Sequence, residues 1–221
     1  MNQLLLDLNA PAYPRFDKLL GTANAELIFM LQQEHDPFLY IWGGQGTGKS
    51  HILQAWVGQA LQNGKNALYI DPAVNMLTDH AAEVDYLAID QIEQLNAEEQ
   101  AELFYVFNTF RNRKRGHLLL AAEVPPSKLN VREDLRTRMS LCLSYEVKAL
   151  SQDEKIAALS HLATTRQFNI DPNIYHYLIT HWRQDLQSLL TMFNDLAHYS
   201  MIQRKPITLS LLKKLLQQET P

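Results

Sequence analysis

The chain has 221 residues, 46% of them hydrophobic, a formal net charge of -4 and a single cysteine, Cys142. Length and composition describe a globular protein with room for one large domain, or a medium one and a small one. One cysteine excludes an intramolecular disulfide and suits a reducing, cytoplasmic setting; no apolar run approaches the ~20 residues of a membrane span; and an acidic balance argues against a broad electrostatic footprint on DNA.

The amino terminus reads MNQLLLDLNAP, an apolar stretch at an end that is disordered unless something ties it down. Asp7 interrupts it and the first positive side chain is Arg15, which is the pattern of neither a signal peptide nor an anchor. An extended peptide sets alternate side chains on one face, grouping Leu4, Leu6 and Leu8 with Gln3 at their edge. Such a strip fits either this chain's own sheet or an apolar groove on another protein. The prolines at 11 and 14 favour an extended linker behind it.

From there to about residue 148, strands and helices alternate. The runs FLYIW (38–42), NALYI (66–70), DYLAID (85–90), HLLLAA (117–122) and LCLSYEV (141–147) are short and nearly continuous in apolar character, which predicts strands buried on both faces of a parallel sheet. Between them lie helical stretches. KSHILQAWVGQALQNG is closed by Gly64, and AEEQAELFYVFNTFRNRK has Asn96 as its N-cap and Gly116 behind it. Beyond residue 150 only helices are expected: Ser151 and Glu154 form a capping box, Asp171 precedes a first-turn Pro172, and Thr208 caps TLSLLKKLLQQ. There is no internal repeat and no low-complexity tract.

The strongest chemical signal is GGQGTGKS: Gly43, Gly44, Gln45, Gly46, Thr47, Gly48, Lys49 and Ser50, with His51 beside them. It fits the phosphate-cradle pattern G-x-x-x-x-G-K-[ST], placed after a strand and at the opening of a helix. Glycines let the backbone curl so that its N–H groups face phosphate oxygens, Lys49 reaches the terminal phosphates, and the Ser50 hydroxyl can ligate Mg2+. Asp90, at the carboxyl end of YLAID, is placed to hold the same magnesium and its water. Gln91 follows, where a hydrolase of this type carries a carboxylate; an amide cannot take a proton, so unaided hydrolysis should be slow. The eight histidines show no metal-ligand spacing. RNRKR (111–115) ends a helix, where cations complement the helix dipole.

With this loop, Asp90, a five-strand α/β block and a helical lid, the chain resembles the AAA+ ATPases, and within them the DnaA/Hda family. FDKLLGTANAE (16–26) is similar to the segment that packs near the adenine in DnaA. AAEVPPSKL (121–129) is similar to its sensor 1 region, with Glu123 in place of a shorter polar residue, and LRTRM (135–139) to its arginine-finger box. The resemblance implies an AAA+ P-loop core with a five-stranded parallel sheet, followed by a small α-helical lid. The implied domains are a leader peptide at 1–14, a nucleotide-binding domain at 15–149 and the lid at 150–221. It implies ADP or ATP with Mg2+ as cofactors, and Arg138 as a finger acting in trans on a neighbour's nucleotide, with Arg136 the other arginine of the box. At the lid position that contacts phosphate, strict register falls on Gln184, with Arg183 one residue earlier as the candidate. The expected absence of a helix-turn-helix domain, together with a leader of the form Q-L-x-L-x-L, resembles the Hda branch, the regulatory inactivators of the replication initiator DnaA. In that branch the leader docks on the sliding clamp, the beta subunit of DNA polymerase III, which assigns clamp contact to Gln3, Leu4, Leu6 and Leu8. The implied function is negative regulation of replication initiation by stimulating hydrolysis of ATP bound to DnaA, with DNA engaged only indirectly and a homodimer or higher oligomer allowed. The alternative is an AAA+ ATPase of clamp-loader or remodelling type that turns over ATP itself.

Overall fold

Five apolar runs become strands: β1 (Phe38–Trp42), β2 (Ala67–Ile70), β3 (Tyr86–Ile89), β4 (His117–Ala122) and β5 (Leu143–Glu146). The structure is a computed structural model that describes residues 13, 14, 16, 22–33, 37–183, 185–203 and 205–219; the leader residues Gln3, Leu4, Leu6 and Leu8, and Gln184, lie outside them. The strands form one all-parallel sheet in the order β2-β3-β4-β1-β5. Tyr40 of β1 is paired with Leu120 on one side and Ser144 on the other.

Helices α1 (Ala25–Gln33), α2 (Lys49–Gln62), α3 (Ala97–Arg113) and α4 (Glu133–Met139) accompany the sheet. Successive strand side chains point to opposite faces, so two cores form. Tyr40, Leu87, Ile89, Leu118 and Leu120 pack with Leu103, Phe107 and Phe110 of α3 and Leu135 and Met139 of α4. Leu39, Ile41, Tyr86, Ala88, Leu119 and Ala121 pack with Leu27 and Leu31 of α1 and Ile52, Leu53, Trp56 and Val57 of α2. With helices on both faces, β3 is buried throughout, β4 beyond its first residue, and β1 at its central three.

The two edge strands depart from the expectation of burial on both faces. β5, LSYE, alternates half-buried and exposed residues, and β2 is buried only at Ile70. β5 also begins later than its apolar run, because Met139–Cys142 is taken up by a turn in which the Cys142 N–H donates to the Met139 carbonyl at 3.1 Å. At the end of α3 the left-handed residue is Lys114, φ 49°, and not the expected glycine. Gly116 is needed two residues on: its φ is 105°, and a Cβ there would stand 2.8 Å from the Phe110 ring.

The described residues divide into two compact units, one holding Asn24–Gly43 and Gly48–Val147, the other Gly44–Thr47 and the chain from Lys148. The second contains α5 (Gln152–Thr165), α6 (Pro172–His181), α7 (Leu186–Gln203) and α8 (Leu209–Glu219). Leu159, Ile174, Leu178, Leu189, Phe193 and Leu212 fill its own core. The caps sit where the sequence places them: the Ser151 box with Glu154, Asp171 accepting from the Asn173 N–H at 2.9 Å, and Thr208 accepting from the Leu211 N–H at 3.3 Å. No helix among the described residues is long and apolar enough to cross a membrane.

Candidate functional site

Sheet order decides where a ligand can sit. β1 leads through α2 toward β2, whereas its neighbour β4 leads through α4 toward β5. α2 packs on one face of the sheet and α4 on the other, so the two connections cross on opposite faces, and the carboxyl ends of these two strands are the usual ligand position in an open parallel sheet. Gly43 follows β1 there, its N–H donating to Ala122 at the end of β4 at 3.2 Å.

In the loop that follows, Gly46 and Gly48 take φ of 74° and 98°, values that favour glycine. Thr47 Oγ1 donates to the Gly44 carbonyl at 2.9 Å. A Cβ at Gly46 would stand 2.6 Å from the Cβ of Asp185, so space as well as torsion demands glycine. α2 opens at Lys49 with Gly48 as its N-cap, a residue with no side chain to occupy the first N–H groups. Those groups are the donors an anion would take. Lys49 is buried, and its Nζ donates to the Gly43 carbonyl at 2.6 Å. Burial lowers the ammonium below its ordinary value, and the charges of Asp90, Glu123 and Glu93 oppose that shift. Gly44, Gln45, Ser50 and His51 are exposed.

Asp90 directly follows β3 and is 1% exposed. Its Oδ1 accepts from the Gln91 N–H at 2.9 Å and its Oδ2 from the Tyr69 hydroxyl at 3.0 Å. That phenol, raised first by burial and then by the Asp90 charge, stays protonated as a donor. An ionised carboxylate has about four lone-pair sites, so Asp90 keeps capacity for a metal-bound water. A hydroxyl and one carboxylate suit a hard cation that takes its remaining oxygens from phosphates and water. No group of three or more His, Cys, Asp or Glu among the described residues is arranged to hold a metal on its own.

Gln91 adopts a left-handed conformation, φ 43° and ψ 47°, rare for a non-glycine residue. Its amide is spent on neighbours: Nε2 donates to Asp71 Oδ1 at 3.4 Å and Oε1 accepts from Gln94 Nε2 at 2.5 Å. Two groups the sequence did not single out complete the surroundings. Glu93 is half-buried on the turn Ile92–Gln94, and its Oε1 accepts from the N–H of Glu123 at 3.2 Å. Tyr40 donates its hydroxyl to the Val124 carbonyl at 2.7 Å, fixing the chain just past Glu123.

The arginines separate by partner. Arg136 donates to Glu133 and Arg132 pairs with Asp134 at 2.8 Å. Arg138 forms no ion pair among the described residues; its guanidinium lies over the Phe104 ring of α3, 5.5 Å from the centroid. The basic run at the end of α3 is partly engaged: Arg113 donates to the Ala82 carbonyl at 3.1 Å and Arg115 pairs with Asp85 at 2.6 Å. Arg183 is exposed between α6 and α7, ahead of the helix rather than on it. Asp185, not Arg183, starts α7: its Oδ1 accepts from the Ser188 N–H at 2.8 Å. Burial raises that carboxyl, but the Ser188 bonds and the Arg183 charge outweigh it and hold it low.

The family model of the bacterial DnaA ATPase domain matches residues 20–146, and that of the Hda lid domain matches residues 152–216. The chain belongs to the DnaA/Hda family of AAA+ proteins. An uncharacterized protein of Haemophilus influenzae is 27% identical over 188 residues, covering 81% of each chain. Among solved structures, domain III of the Thermotoga maritima initiation protein DnaA superposes with a TM-score of 0.80 at 20% identity, over 96% of this chain and 99% of that one. AMPPCP-bound DnaA from Aquifex aeolicus gives 0.72 at 20% identity, over 86% and 67%. The fold of the DnaA/Hda family is thus the one built above: a five-stranded parallel AAA+ sheet with its helices, followed by a helical lid.

Proposed function

We propose that this protein is a nucleotide-bound regulator of DnaA that supplies an arginine to ATP held by DnaA. The observation that carries the proposal is the division of labour in α4, where Arg136 is spent on Glu133 while Arg138 rests on an aromatic face with no carboxylate partner among the described residues. A guanidinium in that state is available to a neighbour's γ-phosphate, whose transition-state charge it would stabilise.

In this reading the domains run 1–14, 15–149 and 150–221. The loop Gly43–Ser50 holds ADP or ATP, with backbone N–H groups and Lys49 on the phosphates and His51 beside them; Ser50 and Asp90 hold Mg2+, and Arg183 reaches the nucleotide from the lid. The glycine torsions, the uncapped start of α2 and the buried ammonium fit a phosphate chain. Bound Mg2+ neutralises phosphate charge. The leader, through Gln3, Leu4, Leu6 and Leu8, brings the protein to the sliding clamp on DNA, and Gln91, an amide with both ends occupied, contributes no base of its own. The setting is cytoplasmic.

The test is single-turnover conversion of labelled ATP prebound to DnaA, mixed with clamp-loaded DNA and this protein. Arg138→Ala and Arg138→Lys should keep the fold and clamp binding yet lose the stimulation, by about 10³ or more if the finger contributes as in other phosphoryl-transfer systems. Lysine fails because a point charge does not replace a planar fork. Near-normal conversion with Arg138→Ala would sink the assignment and move the test to Arg136→Ala.

A further inference from the structure

The turn Ile92–Gln94 places a second carboxylate close to the P-loop lysine. Glu93 Oε1 is fixed by the backbone N–H of Glu123, at the end of β4, while Oε2 is shielded from solvent with no hydrogen-bond partner among the described residues. An unsatisfied buried carboxylate oxygen is costly, and such groups call for an explanation when a native structure keeps them. The Lys49 ammonium feels the charge of Glu93, as it does those of Asp90 and Glu123. Lys49 at the start of α2 and Glu123 after β4 therefore lie near a carboxylate whose Oε2 finds no partner among the described residues, and Asp90 acts on the same ammonium. Position 91, where a hydrolytic carboxylate is expected, cannot serve, because its amide is held between Asp71 and Gln94.

We propose that Glu93 is the catalytic carboxylate of a slow intrinsic ATPase in this chain, its Oε2 accepting a hydrogen bond from the water that attacks ATP. The inference rests on the nucleotide-binding reading above. The water oxygen bonds to the γ-phosphorus as the bond from that phosphorus to the β–γ bridging oxygen breaks. The electron pair leaves with ADP, and the water proton passes to Glu93 and then to the released phosphate. Glu93 thereby does the work that Gln91 does not, one turn further along the chain.

The experiment uses the full chain and three measurements: equilibrium binding of AMPPCP, single-turnover conversion of ATP, and the melting temperature without nucleotide. Wild type should bind AMPPCP and convert ATP slowly. Glu93→Gln, which retains an acceptor for the Glu123 N–H, should bind AMPPCP within about threefold of wild type, melt close to it, and lose about 10²-fold or more in conversion, the range for a positioned general base. Gln91→Ala should keep the wild-type rate. Should Glu93→Gln fail to fold, Glu93→Asp decides, since withdrawing the carboxylate by one methylene should cost at least tenfold in rate while AMPPCP stays bound. Wild-type conversion by the folded Glu93 variant, or AMPPCP binding by wild type with no ATP conversion, would overturn the role of Glu93. Failure of wild type to bind AMPPCP would instead bring down the nucleotide-binding reading and this inference with it.

Discussion

A buried ammonium is costly unless its surroundings repay the lost hydration. Lys49 has a carbonyl at 2.6 Å and three carboxylates whose charges favour it, and burial still lowers it below its ordinary value. The sign of the consequence follows from linkage. A lysine whose folded value lies below its unfolded one weakens the fold while both states are protonated, and the penalty disappears as pH rises through the folded value toward about 10.5. Lys49→Met should therefore leave the nucleotide-free protein at least as stable at neutral pH, with the wild type catching up as pH rises, and should abolish stabilisation by ADP or ATP. Melting curves from pH 7 to 10, with and without nucleotide, check both parts; a neutral-pH loss of stability with nucleotide stabilisation intact would contradict them. The P-loop was legible in the sequence because its chemistry and its strand-loop-helix context are contiguous. Glu93 was not: what distinguishes it is the N–H of Glu123, thirty residues away in sequence.

Among the elements, α3 shows how one helix start can cap itself and fix a distant segment. Asn96 Oδ1 accepts from the N–H groups of Glu98 and Glu99 at 2.9 and 3.0 Å, and Glu99 Oε2 returns a bond to the Asn96 N–H at 3.0 Å. Glu99 is buried, and its Oε1 also accepts from the Leu77 N–H at 3.3 Å, tying down the loop after β2. Asn96→Ala should cost the ~1 kcal/mol of a lost cap. Glu99→Ala should cost more, ~2–3 kcal/mol, because it strands two N–H groups, one of them in a buried contact. Urea denaturation at neutral pH orders the two. At the other end of α3, the Arg115 guanidinium holds the Asp85 carboxyl below its usual value, first by hydrogen bonding and against some burial. A depressed carboxyl gives stability that is present above its unfolded value, about 3.9, and is lost as pH falls through the folded one. Arg115→Ala should thus cost only ~0.2–1 kcal/mol at neutral pH, as an exposed pair does, and the gap from wild type should close in acid. The α3 cap could be read in advance because its chemistry is local, as could β1, β3 and β4 from their continuous apolar runs. α4 could not, being only seven residues long, and β5 came out shorter because the turn at Met139–Cys142 takes up the start of its apolar run.

For the molecule as a whole, the sheet places Gly43 and Glu123 side by side at its switch point, Arg138 lies on α4 of the same unit, and the Gln3–Leu8 strip precedes them in the chain. The proposed function requires that strip to act on another protein. Replacing Leu6 and Leu8 by alanine would take away apolar burial of ~3–5 kcal/mol in a well-filled groove, which at about 1.4 kcal/mol per tenfold is enough to abolish a micromolar contact. We therefore expect that a chain lacking residues 1–9, and the Leu6→Ala/Leu8→Ala double variant, keep the wild-type melting temperature and AMPPCP binding while no longer co-eluting with the sliding clamp. A strip pinned to this chain's own sheet would behave oppositely, because alternate leucines withdrawn from a sheet edge expose core and lower the melting temperature. Co-elution of the truncated chain with the clamp at wild-type strength, or its unfolding, would each refute the docking assignment. Loss of co-elution alone leaves Gln3, Leu4, Leu6 and Leu8 as the anchor that holds Arg138 within reach of DnaA on DNA.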